Sequence, residues 1–183
     1  MRSAKPFTGR VNLYAKADGV LQVNAHIVNE INSISEAITI ATLPPWSAIR
    51  QGQMIATIKI IPFSASKDLL ELACAKCEDK PLEISPFKAK SVGLISTRLS
   101  HQKTSTLDKA QDVITQRITD RHGIVSLTEQ CTHTTDDLAT TLQNQLAQNI
   151  DMLLVLGASA ITDRGDIIPK AIEQCGGRII HYG

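Results

Sequence analysis

The chain has 183 residues, of which 43% are hydrophobic and 20% are charged, and its formal net charge is +1. This composition is ordinary for a globular protein, and the length fits one large domain or two small ones. The near-neutral charge argues against a nucleic-acid partner or an anionic membrane partner, because it provides no basic field to attract either.

No apolar run reaches the length of a transmembrane span, and the segment Met1–Phe7 lacks the apolar core of a signal peptide. The four cysteines do not amount to a disulfide framework in a chain of this length. We therefore expect a cytoplasmic protein with reduced cysteines and no membrane partner.

The first predicted elements are two alternating strands, Val11–Ala17 and Val20–Ala25, on either side of Asp18 and Gly19. An Asp-Gly pair between two strands is a strong hairpin signal, because a type I′ turn requires positive φ at both central residues. The sequence therefore predicts a β-hairpin at this position.

Short strands and helices continue to about residue 80. In order, the pattern predicts a helix over Ala25–Asn32 with Asn24 as its N-cap, strands over Glu36–Leu43 and Met54–Ile61, and a helix over Ser66–Cys77. These elements indicate a β-rich N-terminal module over residues 1–80, and the prolines of Asp79–Pro86 predict a linker after it. Cys74 and Cys77 form a lone C-x-x-C without the further ligands of a zinc site, so we interpret them as packing or surface residues that bind no metal.

From Lys90 onward, apolar strands alternate with amphipathic helices. The predicted strands are Ser91–Ser96, Gly123–Leu127, Met152–Leu156 and Arg178–Tyr182, and the predicted helices lie over Thr104–Arg121, Leu138–Ile150 and Ile168–Gln174. This β-α-β-α-β-α-β order predicts an α/β domain over residues 88–183, with a three-layer parallel sheet and right-handed crossovers.

Three loops of this domain should meet where the parallel strands end, because the carboxyl ends of such strands share one edge of the sheet. The loops contain Ser96–Arg98, His133–Asp137 and Gly157–Asp166. The last loop begins with the small residues of Gly157–Ala160, whose free N–H groups suit a phosphate.

The segment Gly157–Ala171, G-A-S-A-I-T-D-R-G-D-I-I-P-K-A, resembles the signature loop of the molybdopterin-binding domain of molybdenum-cofactor biosynthesis proteins. Ala158 and Ala160 replace two glycines of the usual loop, and Ile168 replaces its threonine. The G-A-S-A form is similar to a subgroup associated with the maturation of molybdenum hydroxylases. Since G-R-V-N-L, E-A-I-T-I-A-T-L and A-T-I-K-I-I-P-F resemble other parts of that subgroup, the resemblance covers nearly the whole chain.

The resemblance implies that molybdopterin is the cofactor and that its binding residues lie in the three loops. The candidates in this chain are Thr97, His133, Asp136, Gly157, Ala158, Ser159, Ala160, Asp163, Arg164 and Asp166. It also implies other cofactor-maturation proteins as partners and assembly as a homo-oligomer. Because family members extend beyond both ends of this chain, we expect a domain that is truncated at its C-terminus.

Two acidic candidates each have two interpretations. Asp166 is either the N-cap of the following helix or a catalytic residue that binds Mg²⁺ beside the phosphate. Asp136 is either a first-turn acid that favours the helix dipole or the acid that adenylyl-transfer members of the family carry in this region.

The other polar candidates are equally open. His133 is either a surface histidine or a ligand, and Ser159 either binds phosphate or is merely small enough for the turn. Asp163 and Arg164 form either a solvated pair or a site at which Arg164 binds phosphate with two parallel hydrogen bonds.

Two functions follow from these residues and the resemblance. The first is a binding or carrier domain for molybdopterin or its nucleotide form. The second is a Mg²⁺-dependent enzyme that adenylylates molybdopterin or inserts molybdate. Alanines at 158 and 160 favour the first, since alanine permits neither positive φ nor the closest approach of the backbone to an anion. A third hypothesis is a truncated fragment that binds nothing.

Overall fold

The computed structural model describes residues 1–102 and 104–182. The chain divides into two compact units, Met1–Phe87 (unit 1) and Lys88–Gly183 (unit 2). Within the described residues, no helix is both long and apolar enough to cross a lipid bilayer.

Unit 1 consists of two small antiparallel sheets and two helices. Its elements are β1 (Arg2–Ser3), β2 (Arg10–Tyr14), β3 (Gly19–Val23), α1 (Ala25–Ile34), β4 (Ile38–Thr42), β5 (Ala48–Ile49), β6 (Met54–Ile60), α2 (Lys67–Cys77) and β7 (Leu82–Pro86). The strand orders are β1-β2-β6-β4 and β5-β3-β7. The predicted helices of this region are confirmed, and Asn24 is the N-cap of α1, since its side chain accepts the N–H of Ile27.

The helix α1 covers one face of the larger sheet. Its buried residues Ile27, Val28 and Ile31 recur at helical spacing and pack in one cluster with Ile38 and Ile40 of β4. Alternate residues of β4 therefore point toward the helix, as the strand pattern of this segment predicts.

The predicted hairpin around Asp18 and Gly19 is wrong, because β2 and β3 belong to different sheets. Gly19 lies within β3 opposite Pro86, and its φ is outside the positive range that a type I′ turn requires. The glycine is instead needed for a close approach, since a Cβ atom there would lie 2.2 Å from the carbonyl oxygen of Ser85. The Asp18 carboxylate accepts the N–H of Gln51, a residue distant in the chain, at 2.6 Å.

The predicted linker Asp79–Pro86 is also wrong, because most of it is the strand β7. This strand pairs with β3 along its whole length, from Leu82 opposite Val23 to Pro86 opposite Gly19. A proline at the end of an edge strand needs no ladder partner for its nitrogen, so it does not exclude a strand. The two compact units meet in sequence only after Phe87.

Unit 2 is built around a parallel sheet of three strands. Its elements are β8 (Ser91–Arg98), α3 (Thr104–Thr119), β9 (Ile124–Thr132), α4 (Thr135–Leu146), β10 (Met152–Leu156) and α5 (Ile167–Gln174). The strand order is β10-β8-β9, and both pairings are parallel. The prediction of a mixed α/β fold with a parallel sheet is confirmed for these strands. The predicted strand Arg178–Tyr182 is wrong, because residues 178–182 adopt no regular structure and pair with no strand.

The central strand β8 is buried from Val92 to Thr97 because helices contact both of its faces. Ile95 packs in one cluster with buried residues of α4 and α5, whereas the hydroxyl of Ser96 accepts a hydrogen bond from Gln111 of α3 at 3.0 Å. Consecutive strand residues point to opposite faces, so α3 lies across the sheet from the other two helices. Thr97 consequently faces the same side as Ile95, at the carboxyl end of the strand.

Candidate functional site

Three of the predicted residues form one hydrogen-bonded row at the carboxyl edge of the parallel sheet. The hydroxyl oxygen of Thr97 lies 2.8 Å from Nδ1 of His133, and Nε2 of the same ring lies 3.0 Å from the hydroxyl of Ser159. The backbone N–H of Ala158 donates to the Thr97 hydroxyl at 2.9 Å. The Thr97–His133–Ser159 row thus joins the end of β8 to the loops that follow β9 and β10, and the loop predicted over Ser96–Arg98 is wrong, because these residues belong to β8.

Local structure fixes the histidine between the two hydroxyls. The backbone N–H of His133 donates to the carbonyl of Arg98 at 3.0 Å, which extends the pairing of β8 and β9 by one bond. Thr134 then caps α4, because its hydroxyl accepts the N–H of Asp137 at 3.3 Å. The backbone on both sides of the imidazole is therefore held by hydrogen bonds, at the end of β9 and at the start of α4.

The row leads from the interior of unit 2 to its surface. Thr97 is 0% exposed, His133 is half-buried and Ser159 is exposed. A ligand that approaches the edge of the sheet would therefore meet the Ser159 hydroxyl first, while the other two side chains stay behind it.

The phosphate cradle predicted over Gly157–Ala160 is only partly available. The Ala158 N–H is already bonded to Thr97, whereas the N–H groups of Ser159 and Ala160 donate to no atom of the described residues. Two backbone donors and one hydroxyl therefore remain for an anion. Ala158 and Ala160, the residues on either side of Ser159, each carry only a methyl group.

Asp166 closes its own loop. It occupies the N-cap position of α5 but makes no side-chain capping bond, so the capping interpretation is wrong. Its carboxylate instead accepts the N–H groups of Thr162 and Asp163, the latter at 3.0 Å. These two bonds, with that from Thr162 the stronger, hold the pKa of the Asp166 carboxyl below its usual value.

This bonding predicts an acid-dependent opening of the 162–166 loop. Because the folded pKa of Asp166 is lowered, the closed loop is fully present above the ordinary aspartate pKa and is lost as the pH falls through the lowered value. We expect the amide proton shifts of Thr162 and Asp163, followed by NMR, to titrate with a midpoint below the ordinary aspartate range. Asp166→Asn should remove this step, and a midpoint at the ordinary value would contradict the bonding.

The remaining predicted acids and the arginine contact protein groups outside the row. The Asp163 carboxylate accepts the N–H of Gly165 at 2.6 Å, and the guanidinium of Arg164 lies 5.5 Å from the centroid of the Tyr182 ring. Asp136, in the first turn of α4, accepts a 3.3 Å hydrogen bond from Gln174 of α5. Its position agrees with the first-turn interpretation.

No cluster of metal-binding side chains is present among the described residues. No three or more His, Cys, Asp or Glu side chains of the described residues are grouped so that they could hold an ion. Cys74 and Cys77 are exposed free thiols on α2.

Two cavities that the sequence does not predict adjoin the predicted loops. One of about 450 Å³ lies at the ends of β8 and β9 and is lined by Arg98, Ser100, Gln130, Cys131 and Thr132. The alternating polar residues of β9 are the sequence signal for it, because they lie on the exposed face of that strand. The other, also about 450 Å³, is lined by Ile161, Thr162, Pro169, Ile172, Ile179, His181 and Tyr182.

Comparisons of this chain with protein-family models, curated proteins and solved structures give no significant match. The assignment of function therefore depends on the geometry of the carboxyl edge and on the resemblance of the Gly157–Ala171 segment.

Proposed function

We propose that unit 2 binds molybdopterin, or a nucleotide form of it, at the carboxyl edge of its parallel sheet. The observation that carries the proposal is the Thr97–His133–Ser159 row, which connects the carboxyl ends of all three parallel strands and ends on an exposed hydroxyl. Molybdopterin bears a phosphate, and an edge of this kind is where α/β proteins hold such groups.

The donors at this edge suit the phosphate. The Ser159 hydroxyl and the N–H groups of Ser159 and Ala160 are three donors on two consecutive residues of one loop, and the small side chains of Ala158 and Ala160 leave room for the anion. Arg98 lines the adjoining cavity and would supply a positive charge there.

The second cavity, which is lined by Ile161 and Thr162 of the same loop, suits the pterin ring system of the ligand. Ile161, Ile172 and Ile179 give it a largely apolar wall, and the Tyr182 hydroxyl there is buried without a hydrogen-bond partner among the described residues. A flat ring with polar edges would cover the apolar wall and offer an acceptor or donor to that hydroxyl. Its volume of about 450 Å³ is within the range of small-ligand pockets.

A carrier role is favoured over catalysis. Asp166, the candidate Mg²⁺ ligand, directs one carboxylate oxygen to two backbone N–H groups of its own loop. Ala158 and Ala160 stand where the resemblance expects glycines. We therefore propose that the protein serves cofactor maturation as a binder that delivers the pterin to another maturation protein. The expectation of a cytoplasmic homo-oligomer is part of the same proposal.

Isothermal titration with molybdopterin tests the proposal. We expect binding by the parent chain, and Ser159→Ala should weaken it about fivefold, the equivalent of one neutral hydrogen bond. Ser126→Ala is the matched control and should leave affinity unchanged, since Ser126 lies near the start of β9, away from the carboxyl edge, where its hydroxyl is hydrogen-bonded to that of Ser91 in β8. Dephosphorylated molybdopterin should bind more weakly than the intact ligand. Equal affinity of the two ligands would contradict the phosphate assignment.

The same preparation separates binding from catalysis. Incubation with molybdopterin, ATP and Mg²⁺ should leave the pterin unchanged if the protein is a carrier. Formation of an adenylylated pterin that is lost in Asp166→Asn would establish the enzymatic alternative and return a metal-binding role to that carboxylate.

A further inference from the structure

We propose that Thr97 and His133 are positioning residues that fix the direction of hydrogen bonding in the Thr97–His133–Ser159 row, so that the Ser159 hydroxyl donates outward to an unprotonated oxygen of the bound anion. This inference rests on the proposed phosphate site and adds the chemical selectivity of that site. It makes Ser159 a hydrogen-bond donor to the ligand and not a nucleophile.

The argument begins with the buried hydroxyl. Thr97 is 0% exposed, and its oxygen already accepts the Ala158 N–H at 2.9 Å. A hydroxyl also has one hydrogen to donate, and buried donors are almost always paired. Among the described residues, the acceptor bonded to this hydroxyl is Nδ1 of His133, at 2.8 Å. Thr97 therefore donates to Nδ1.

This donation determines the tautomer of the ring. A neutral imidazole that accepts on Nδ1 carries its proton on Nε2. That N–H points to the Ser159 hydroxyl oxygen at 3.0 Å and donates to it. Ser159 then accepts from the ring and turns its own hydrogen toward solvent, where the side chain is exposed. Each bond of the row polarises the next in the same sense.

The reverse direction is the one that a nucleophilic serine would need. Nε2 would accept the Ser159 proton as a general base, and Nδ1 would donate to Thr97. Thr97 would then accept two hydrogen bonds, and its own hydrogen would be left unpaired in the interior. The backbone bond from Ala158 thus decides the direction, because it occupies the hydroxyl oxygen of Thr97 from the other side.

The tautomer is measured without any ligand. In the ¹⁵N-labelled full chain at about pH 8, above the ordinary titration range of imidazole, long-range ¹H–¹⁵N spectra should show His133 Nε2 as protonated and Nδ1 as unprotonated. His133→Gln identifies its signals among those of the five histidines. Thr97→Val should shift the ring to a mixture of tautomers, and Thr97→Ser should restore the parent spectrum. A parent ring protonated on Nδ1 would overturn the proposal, and this readout is taken on the parent chain.

Binding of inorganic phosphate tests the consequence for the ligand. In an NMR titration of the Ser159 and Ala160 amides, Thr97→Val and Ser159→Ala should each weaken binding about fivefold. The double variant should be no weaker than Ser159→Ala alone, since Thr97 acts through Ser159. Thr128→Val, on the exposed face of β9, is the control and should bind as the parent does.

The two proposals fail in different ways. Additive losses in the double variant would show that Thr97 does not act through Ser159 and would overturn the positioning role. A parent chain with the Nε2-protonated ring that binds neither phosphate nor molybdopterin would contradict the proposed function, while the assigned direction of the row would be confirmed.

Discussion

Replacing Gly19 with alanine should lower the free energy of unfolding of unit 1 by about 3 kcal/mol, the upper part of the usual range for an overpacked site. The new Cβ atom would lie 2.2 Å from the carbonyl oxygen of Ser85 and 2.8 Å from its carbonyl carbon. These are backbone atoms of β7 in a strand pair, so they cannot rotate aside as a flexible side chain would. The pairing of β3 with β7 has to open at this end.

The measurement is urea unfolding followed by the fluorescence of Trp46, the single tryptophan of the chain, which lies in unit 1. Gly52→Ala is the matched control, because Gly52 has a φ of +81° but no atom within 4 Å of an added Cβ. The free energy of unfolding of Gly52→Ala should be lower than that of the parent by about 1 kcal/mol, a cost that reflects the left-handed conformation alone. Similar losses in the two variants would show that no close approach exists at Gly19.

The same glycine shows why the pairing of unit 1 could not be predicted from sequence. Local patterns predict α1, α2, β4 and β6, because apolar periodicity and the Asn24 cap are local signals. Strand partners are chosen by contacts distant in the chain, such as that of Gly19 with Pro86. An Asp-Gly pair permits a tight turn but does not enforce one, and a terminal proline does not prevent a strand.

The site of unit 2 was more predictable, because the carboxyl ends of parallel strands all lie at the same edge of the sheet. Once β8, β9 and β10 are recognised as parallel, Thr97 near the end of β8, and His133 and Ser159 after β9 and β10, are expected at one edge of the sheet. The hydrogen bonds among them depend on side-chain rotamers and on the Ala158 N–H, which no pattern encodes.

The acids illustrate the limit of such patterns. An aspartate before a helix predicts an N-cap, yet the Asp166 carboxylate bonds to N–H groups that precede it in the chain. Both arrangements offer backbone donors to the same carboxylate within a few residues, so the sequence signal for them is the same.

Gly157→Ala should destabilise unit 2 by about 2 kcal/mol and weaken ligand binding as well. A Cβ atom at Gly157 would lie 2.6 Å from Cδ1 of Ile168 and 2.9 Å from the carbonyl oxygen of Ser159. Ile168 is part of the buried cluster with α4 and α5, so it has little room to move. The loop would yield instead, which would carry Ser159 away from His133 and break the row.

A double-mutant cycle isolates this contact. Ile168→Val deletes the Cδ1 atom, at a cost of about 1 kcal/mol by itself. In that background Gly157→Ala should cost about 1 kcal/mol less than in the parent, because only the Ser159 carbonyl remains in its way. Hydrogen exchange of unit 2, read by mass spectrometry on peptides from β8 and α4, measures each step.

Gly176→Ala serves as the control for the cycle. Gly176 has a φ of +80° and no atom within 4 Å of an added Cβ, so its cost should be the same with Ile168 or Val at position 168. The molybdopterin affinity should follow the cycle too, with the loss in Gly157→Ala partly recovered when Ile168→Val is added. If the two substitutions at 157 and 168 are strictly additive, the loop is not held against α5, and its geometry does not depend on the absence of a side chain at Gly157.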